Sequence, residues 1–329
     1  MLRIASMKTF VIASLVLFTP LSADDQVRFA ARDSLHIHDV EDADTEACLR
    51  GFAWEQGAFE VSLEEPVDEG DFLVRFPSPI PTADATNDRV AMVWHQSKDL
   101  DGNVREAPAI LVIHESGRRM EVGRMFARSL RDLGFHTFQI HLPHYGERSN
   151  GKHPADAATL LTRVRQGVAD SRRAYDAIKV LPHVKGAIGI QGTSLGGFVA
   201  ALTAGIDGCF DSVHLLLAGG QLYEMLQNGQ KDTAKVRRKL EEQGITGEKL
   251  KSLLYMMEPT RLAHRLDPQK TWMYSAIFDT VVPKKNADAL AQAIPLSPDH
   301  HIQFPANHYS GVIFIPLVLK NVAQVCGKE

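Results

Sequence analysis

The 329-residue chain is short of several things that would narrow its class at once. It has three cysteines, Cys48, Cys209 and Cys326, too few for a disulfide scaffold and spaced like no zinc site. An odd number cannot all pair within one chain. A Cys48–Cys326 disulfide and three small buried thiols are both compatible with the spacing. Neither sign of charge dominates: 36 Lys and Arg against 40 Asp and Glu give a net charge of -4, with no basic footprint for nucleic acid. Aromatic residues make up 7%, which speaks against a surface built for stacking on long sugar chains. There is no internal repeat and no low-complexity tract. No apolar run reaches the ~20 residues that a membrane-crossing helix needs.

One apolar run does stand out, at the start. Residues 10–18 carry no charge, follow Arg3 and Lys8, and precede Pro20 and the small residues Ser22 and Ala23. That is the layout of a secretory signal peptide over residues 1–23. It predicts a secreted or periplasmic protein without a stable membrane span once the signal is removed, an uncleaved anchor being the alternative.

Hydrophobic residues at 44% and charged residues at 23% are globular proportions, enough to bury a full core. Residues 24–57 are polar and acidic with weak periodicity and read as an irregular lead-in. From residue 58 onward short alternating runs at 59–63, 72–76 and 90–94 predict an antiparallel start to a sheet. After Pro108 the rhythm becomes strand and helix in turn. Strands are expected at 109–113, 135–140, 187–190, 213–217, 271–277 and 301–304, with helices between them. In the longest helix Leu160, Leu161, Val164, Val168, Tyr175 and Ile178 form an apolar stripe, with Arg163, Arg165, Asp170, Arg172 and Lys179 on the other side. Such alternation means an α/β fold: a mostly parallel central sheet with helices on both faces. The charged, strandless stretch from about 221 to 266 interrupts it and reads as a helical cap insertion.

The chemistry concentrates at the ends of the expected strands. Gly192-Thr193-Ser194-Leu195-Gly196 joins a strand to a helix. A turn that sharp strains its central residue and lifts the serine above the sheet, and glycines two positions either side avoid clashes with strand and helix. A serine hydroxyl attacks only when a base takes its proton. In this architecture the acid and then the histidine follow the serine in the chain. Asp279 and His308 each lie just past a later strand, at the carboxyl edge where open α/β sheets place their sites. Asp211 and Glu258 are rival acids, whereas His300 and His301 precede or lie within the last strand. Ser194, Asp279 and His308 therefore form the expected catalytic group. The oxyanion of a tetrahedral intermediate needs two donors. The N–H of Leu195 supplies one, and the loop His114-Glu115-Ser116-Gly117 the other, through Ser116 or, as the close rival, Glu115.

With these motifs in place the chain resembles the α/β-hydrolase superfamily from about residue 59 to the C-terminus. The signature is His114-Glu115-Ser116-Gly117, the Gly192–Gly196 turn, Asp279 with Val282-Pro283, and Asn307-His308. His114-Glu115 and the run Glu258-Pro259-Thr260-Arg261-Leu262-Ala263 are similar to segments of dienelactone-hydrolase-like and acetyl-xylan-esterase-like members. Dienelactone hydrolases proper use a cysteine where this chain has Ser194. The loop Pro143-His144-Tyr145-Gly146-Glu147-Arg148 is similar to loops that shape the superfamily's pockets, so the resemblance implies that His114, His144 and Tyr145 border the site. It implies a serine hydrolase for a small carboxylic ester, with no cofactor and no metal. His141 and His144 have no third metal ligand at a recognisable spacing. An oligopeptidase-like peptidase and a non-catalytic binding protein on a hydrolase scaffold are the other two readings.

Overall fold

The computed structural model describes residues 27–37, 42–151 and 157–327; the proposed signal segment lies outside them. Ten strands form one sheet in the order β1-β2-β3-β4-β6-β5-β7-β8-β9-β10. Strands β1 (Arg28–Arg32), β2 (Ala58–Glu64), β3 (Phe72–Pro77) and β4 (Arg89–His95) pair antiparallel in succession, and β4 pairs antiparallel with β6 (His136–Ile140). From there every pairing is parallel, through β5 (Ala107–Ile113), β7 (Val184–Thr193), β8 (Ser212–Leu216), β9 (Thr271–Ala276) and β10 (His301–Phe304).

Strand β5 shows why the central strands are apolar throughout. Ala109, Leu111 and Ile113 enter one core and Ile110 and Val112 the other. Successive side chains alternate faces, and both faces here are covered. Helices α3 (Ala157–Lys179), α4 (Leu195–Asp207) and α9 (Lys284–Ala293) pack on the first face, α2 (Glu121–Asp132) and α10 (Ile315–Cys326) on the second. Between β8 and β9 the chain forms α5 (Leu222–Asn228), α6 (Asp232–Glu242), α7 (Gly247–Tyr255) and α8 (Thr260–Ala263). Leu222, Leu226, Leu240, Leu250 and Leu254 close a small core of their own. Among the described residues no helix is long and apolar enough to cross a membrane.

Two expectations need correcting. The lead-in is not irregular where it is described: it supplies β1 and helix α1 (Ala43–Phe52). The Asp42 carboxylate caps α1 by accepting from the N–H of Thr45. Thr45, Cys48, Leu49 and Phe52 form its buried face at spacings of three and four, a short stripe easily lost among acidic neighbours. The second correction concerns α3. Asp170 and Arg172 do not face solvent but are buried, and so are Arg173 and Asp176. Each is paired: Asp170 with Arg148, Arg172 with Asp176 and Asp207, and Arg173 with Asp33 of the lead-in. Asp33 and Ser34 of the lead-in cover Arg172, Arg173 and Asp176, and Arg148 with Ser78 covers Asp170, where periodicity alone assigns a face to water.

The cysteines are free. Cys48 and Cys326 belong to different cores, and burial pushes both thiols up to about 11.

Candidate active site

Strand β7 hands over to α4 at Ser194, whose backbone has φ 52° and ψ -114°. This left-handed φ is costly for a residue with a Cβ and persists only when its surroundings enforce it. The enforcement is steric. A Cβ on Gly192 would lie 2.1 Å from the carbonyl oxygen of Gly196, and one on Gly196 would lie 2.2 Å from the carbonyl oxygen of Ile113. The two glycines let strand, turn and helix approach at distances no side chain tolerates. The N–H of Ser194 donates to the carbonyl of Leu216 on β8, which fixes the turn against the neighbouring strand.

The Oγ of Ser194 lies 3.1 Å from Nε2 of His308. On the other side of the ring, Nδ1 of His308 lies 2.6 Å from Oδ2 of Asp279. Asp279 is itself held, since its Oδ1 accepts from the N–H groups of Val281 and Val282 at 2.7 and 3.0 Å. The loop after β9 thus builds a turn around its own carboxylate and leaves the second oxygen for the imidazole. His308 sits on the loop after β10, between Asn307, whose side chain accepts from the N–H groups of Tyr309 and Ser310, and a 3-10 turn at Ser310–Phe314. Three side chains that lie far apart in the chain meet at one rim of the sheet.

The rival acids are occupied elsewhere. Asp211, just before β8 begins, accepts from the N–H of Ile188 in the middle of β7, and Glu258 accepts from Gln221, Leu222 and Thr260. His300 bonds the carbonyl of Thr271, and His301 the hydroxyl of Ser275.

A cavity of about 340 Å³ opens at Ser194 and His308. Glu115 and Ser116 are on its wall, as the sequence places them. Leu195 is the first residue of α4, and the N–H groups of a first helical turn have no intrahelical acceptor. Glu115 has a further task. Its carboxylate accepts from the N–H groups of Val122 and Gly123, capping α2, whose cap position is held by Met120 with no side-chain bond of its own.

His114, His144 and Tyr145 do not line this cavity. His114 is wholly buried, with Nδ1 2.5 Å from the carbonyl of Glu115 and Nε2 accepting from the N–H of Leu142. Burial pushes its imidazole down to about 4, so it is neutral at pH 7 and ties the loop after β5 to the loop after β6. Tyr145 packs against it with tilted rings, centroids 4.6 Å apart, and donates its hydroxyl to the carbonyl of Ser116. The N–H of His144 donates to Asn87. These residues support the wall from behind.

The wall also contains residues that local patterns do not reveal. Leu217, Val312 and Ile315 make it apolar, and Asp232 and Tyr309 give it a polar side. Asp232 begins α6, so the insertion contributes directly. The N–H of Gln230 donates to the carbonyl of Thr280 and the Thr233 hydroxyl to that of Val281, while the Tyr309 hydroxyl donates to Oδ2 of Asp232 at 2.8 Å. One turn of the insertion is therefore clamped to both the Asp279 and the His308 loops. Only the tertiary pairing could have shown this.

No protein-family model matches the chain, and no curated protein matches it in sequence. Solved structures do match. The acetyl xylan esterase from Paenibacillus sp. R4 is 14% identical with a TM-score of 0.63, over 88% of this chain and 96% of that one. Acetyl xylan esterase 1 from Thermoanaerobacterium sp. JW/SL YS485 is 14% identical with a TM-score of 0.62 over the same shares. Est1E from Butyrivibrio proteoclasticus, with ferulic acid bound, is 13% identical with a TM-score of 0.50, over 74% of this chain and 98% of that one. At such identities the likeness is one of fold, and the fold is that of the α/β hydrolases.

Proposed function

We propose that the chain is a serine hydrolase that cleaves a carboxylic ester through an acyl-enzyme, with Ser194 as nucleophile, His308 as base and Asp279 as the residue that orients it. The observation that carries this reading is the pair of contacts on one imidazole: Ser194 Oγ at 3.1 Å and Asp279 Oδ2 at 2.6 Å. With Nδ1–H donating to Asp279, Nε2 is left as the acceptor that can take the serine proton.

Ser194 Oγ attacks the acyl carbon as His308 Nε2 removes its proton. The oxyanion that forms points to the start of α4, where the Leu195 N–H and the N–H of Ser116 or Glu115 are the proposed donors. His308 then returns the proton to the leaving alcohol, and water repeats the sequence to release the acid. The imidazolium formed midway is stabilised by Asp279, whose charge is fixed by two backbone donors before the reaction begins. Fold likeness to proteins named as esterases supports the ester class, and the apolar wall of Leu217, Val312 and Ile315 suits a small acyl or alcohol group. Helices α5–α8 act as a cap over this side of the sheet. Export rests on the sequence of residues 1–23.

Ser194→Ala is expected to abolish turnover of p-nitrophenyl acetate, and the wild type to show a burst of p-nitrophenol followed by a slower steady rate. Wild-type turnover in the variant would refute the assignment.

A further inference from the structure

The cavity beside Ser194 is built with charge of one sign. Its wall contains the carboxylates of Asp232 and Glu115 and no lysine or arginine among the described residues. Glu115 spends both oxygens on the first turn of α2, Oε1 on Val122 and Oε2 on Gly123. Asp232 is held differently. Oδ2 accepts from the Tyr309 hydroxyl inside the site, and Oδ1 meets Lys235 at 2.8 Å, an i,i+3 pair whose ammonium is 64% exposed and screened by water. Lys235 and Tyr309 together hold the Asp232 carboxyl below its ordinary range, so it is an anion at neutral pH. Lys231 is turned onto the Tyr309 ring, 4.6 Å from its centroid.

The direction in which this charge acts follows from the chemistry. The leaving group takes its proton from His308, so it lies on the His308 side of the scissile bond. Tyr309 is the next residue, its ring 5.7 Å from that of His308, and its hydroxyl carries Asp232. Resting on the serine-hydrolase reading above, we propose that Asp232 sets substrate charge: the site favours esters whose leaving group carries a cation, accepts neutral ones, and disfavours those carrying an anion. The Asp232 side chain is itself 45% exposed, so water screens part of its field, and what reaches the leaving group does so along the cavity wall, whose other side is apolar.

Three thioacetates of matched size test this on the intact chain, with thiol release as the readout: acetylthiocholine, its uncharged isostere 3,3-dimethylbutyl thioacetate, and S-acetyl-3-mercaptopropanoate. Water cleaves each to acetate and the free thiol, and each kcat/KM is divided by that substrate's hydroxide-catalysed rate, which removes the differing leaving ability of the three thiols. In the wild type kcat/KM should fall by about tenfold from cation to neutral and again from neutral to anion, and the spread should narrow at high salt. Asp232→Asn should bring the three within about twofold of one another. Tyr309→Phe removes the hydrogen bond to Asp232 but keeps the carboxylate, so it should preserve the order even if every rate drops. Equal rates in the wild type, a preference for the anion, or an unchanged order in Asp232→Asn would overturn the proposal while Ser194-dependent turnover left the hydrolase reading intact. Failure of the wild type to cleave any of the three would overturn both.

Discussion

Two buried carboxylates in this molecule each hold a nitrogen base, and they are built for opposite ends. Asp279 meets His308 at 2.6 Å beside an open cavity, and Asp170 meets Arg148 at 2.8 Å where neither side chain is exposed. Asp170 is pushed up by burial and drawn back by the Arg148 guanidinium and the Ser78 hydroxyl. Arg148 also donates to the carbonyls of Asn87 and His141, which pins the loop after β6. A guanidinium has donors and no acceptor, so the pair can only hold structure. The imidazole of His308 has a second nitrogen facing a serine hydroxyl at 3.1 Å. A buried acid–base pair is therefore no mark of a reaction centre by itself. What distinguishes the two is whether the nitrogen group can accept a proton and what its far side faces.

The same substitution at both carboxylates would break the comparison open. Asp279→Asn leaves the side chain's shape but removes the charge and the preference for the right tautomer, and kcat should fall by about 10⁴. Asp170→Asn strands a buried guanidinium and should lower unfolding stability by about 3–5 kcal/mol in urea, with kcat of the folded fraction preserved. If Asp170→Asn lost turnover and kept stability, the roles assigned here would be reversed.

A smaller effect separates the supporting histidine from the proposed base. His114 has a folded-state value of about 4 against 6.5 when free, so between those values the unfolded chain binds more protons. Its share of stability is complete above pH 6.5 and is lost as pH falls toward 4. At pH 5 the loss should be about 2 kcal/mol relative to pH 7.5. Urea unfolding at the two pH values should show a correspondingly smaller drop in His114→Gln, and an identical drop in variant and wild type would contradict the burial account.

The comparison also explains what was legible in the sequence. The Ser194 turn is read from its glycines because the clash they avoid is local, between atoms a few residues apart and one strand away. Asp279 and His308 are legible because each stands just past a strand, although β10, His301-Ile302-Gln303-Phe304, alternates apolar and polar residues and carries a weaker signal than the central strands. The α/β alternation was legible because strands covered on both faces carry an unbroken apolar signature. The charged stripe of α3 was not, because periodicity says which side chains share a face but not what covers it; here Asp33, Ser34 and Arg148 do. His114 stands next to the cavity in sequence and behind its wall in space, a difference that turns on the direction of a single loop. Asp232 and Tyr309 escaped notice because their importance arises only where α6 meets the loop after β10.

The central claim is that Ser194 is activated by His308, and covalent trapping tests it most directly. A fluorophosphonate probe added to the folded protein, followed by peptide mass spectrometry, should place one label per chain on Ser194, and His308→Ala should remove it. Labelling at another residue, or none in protein shown to be folded, would contradict the account.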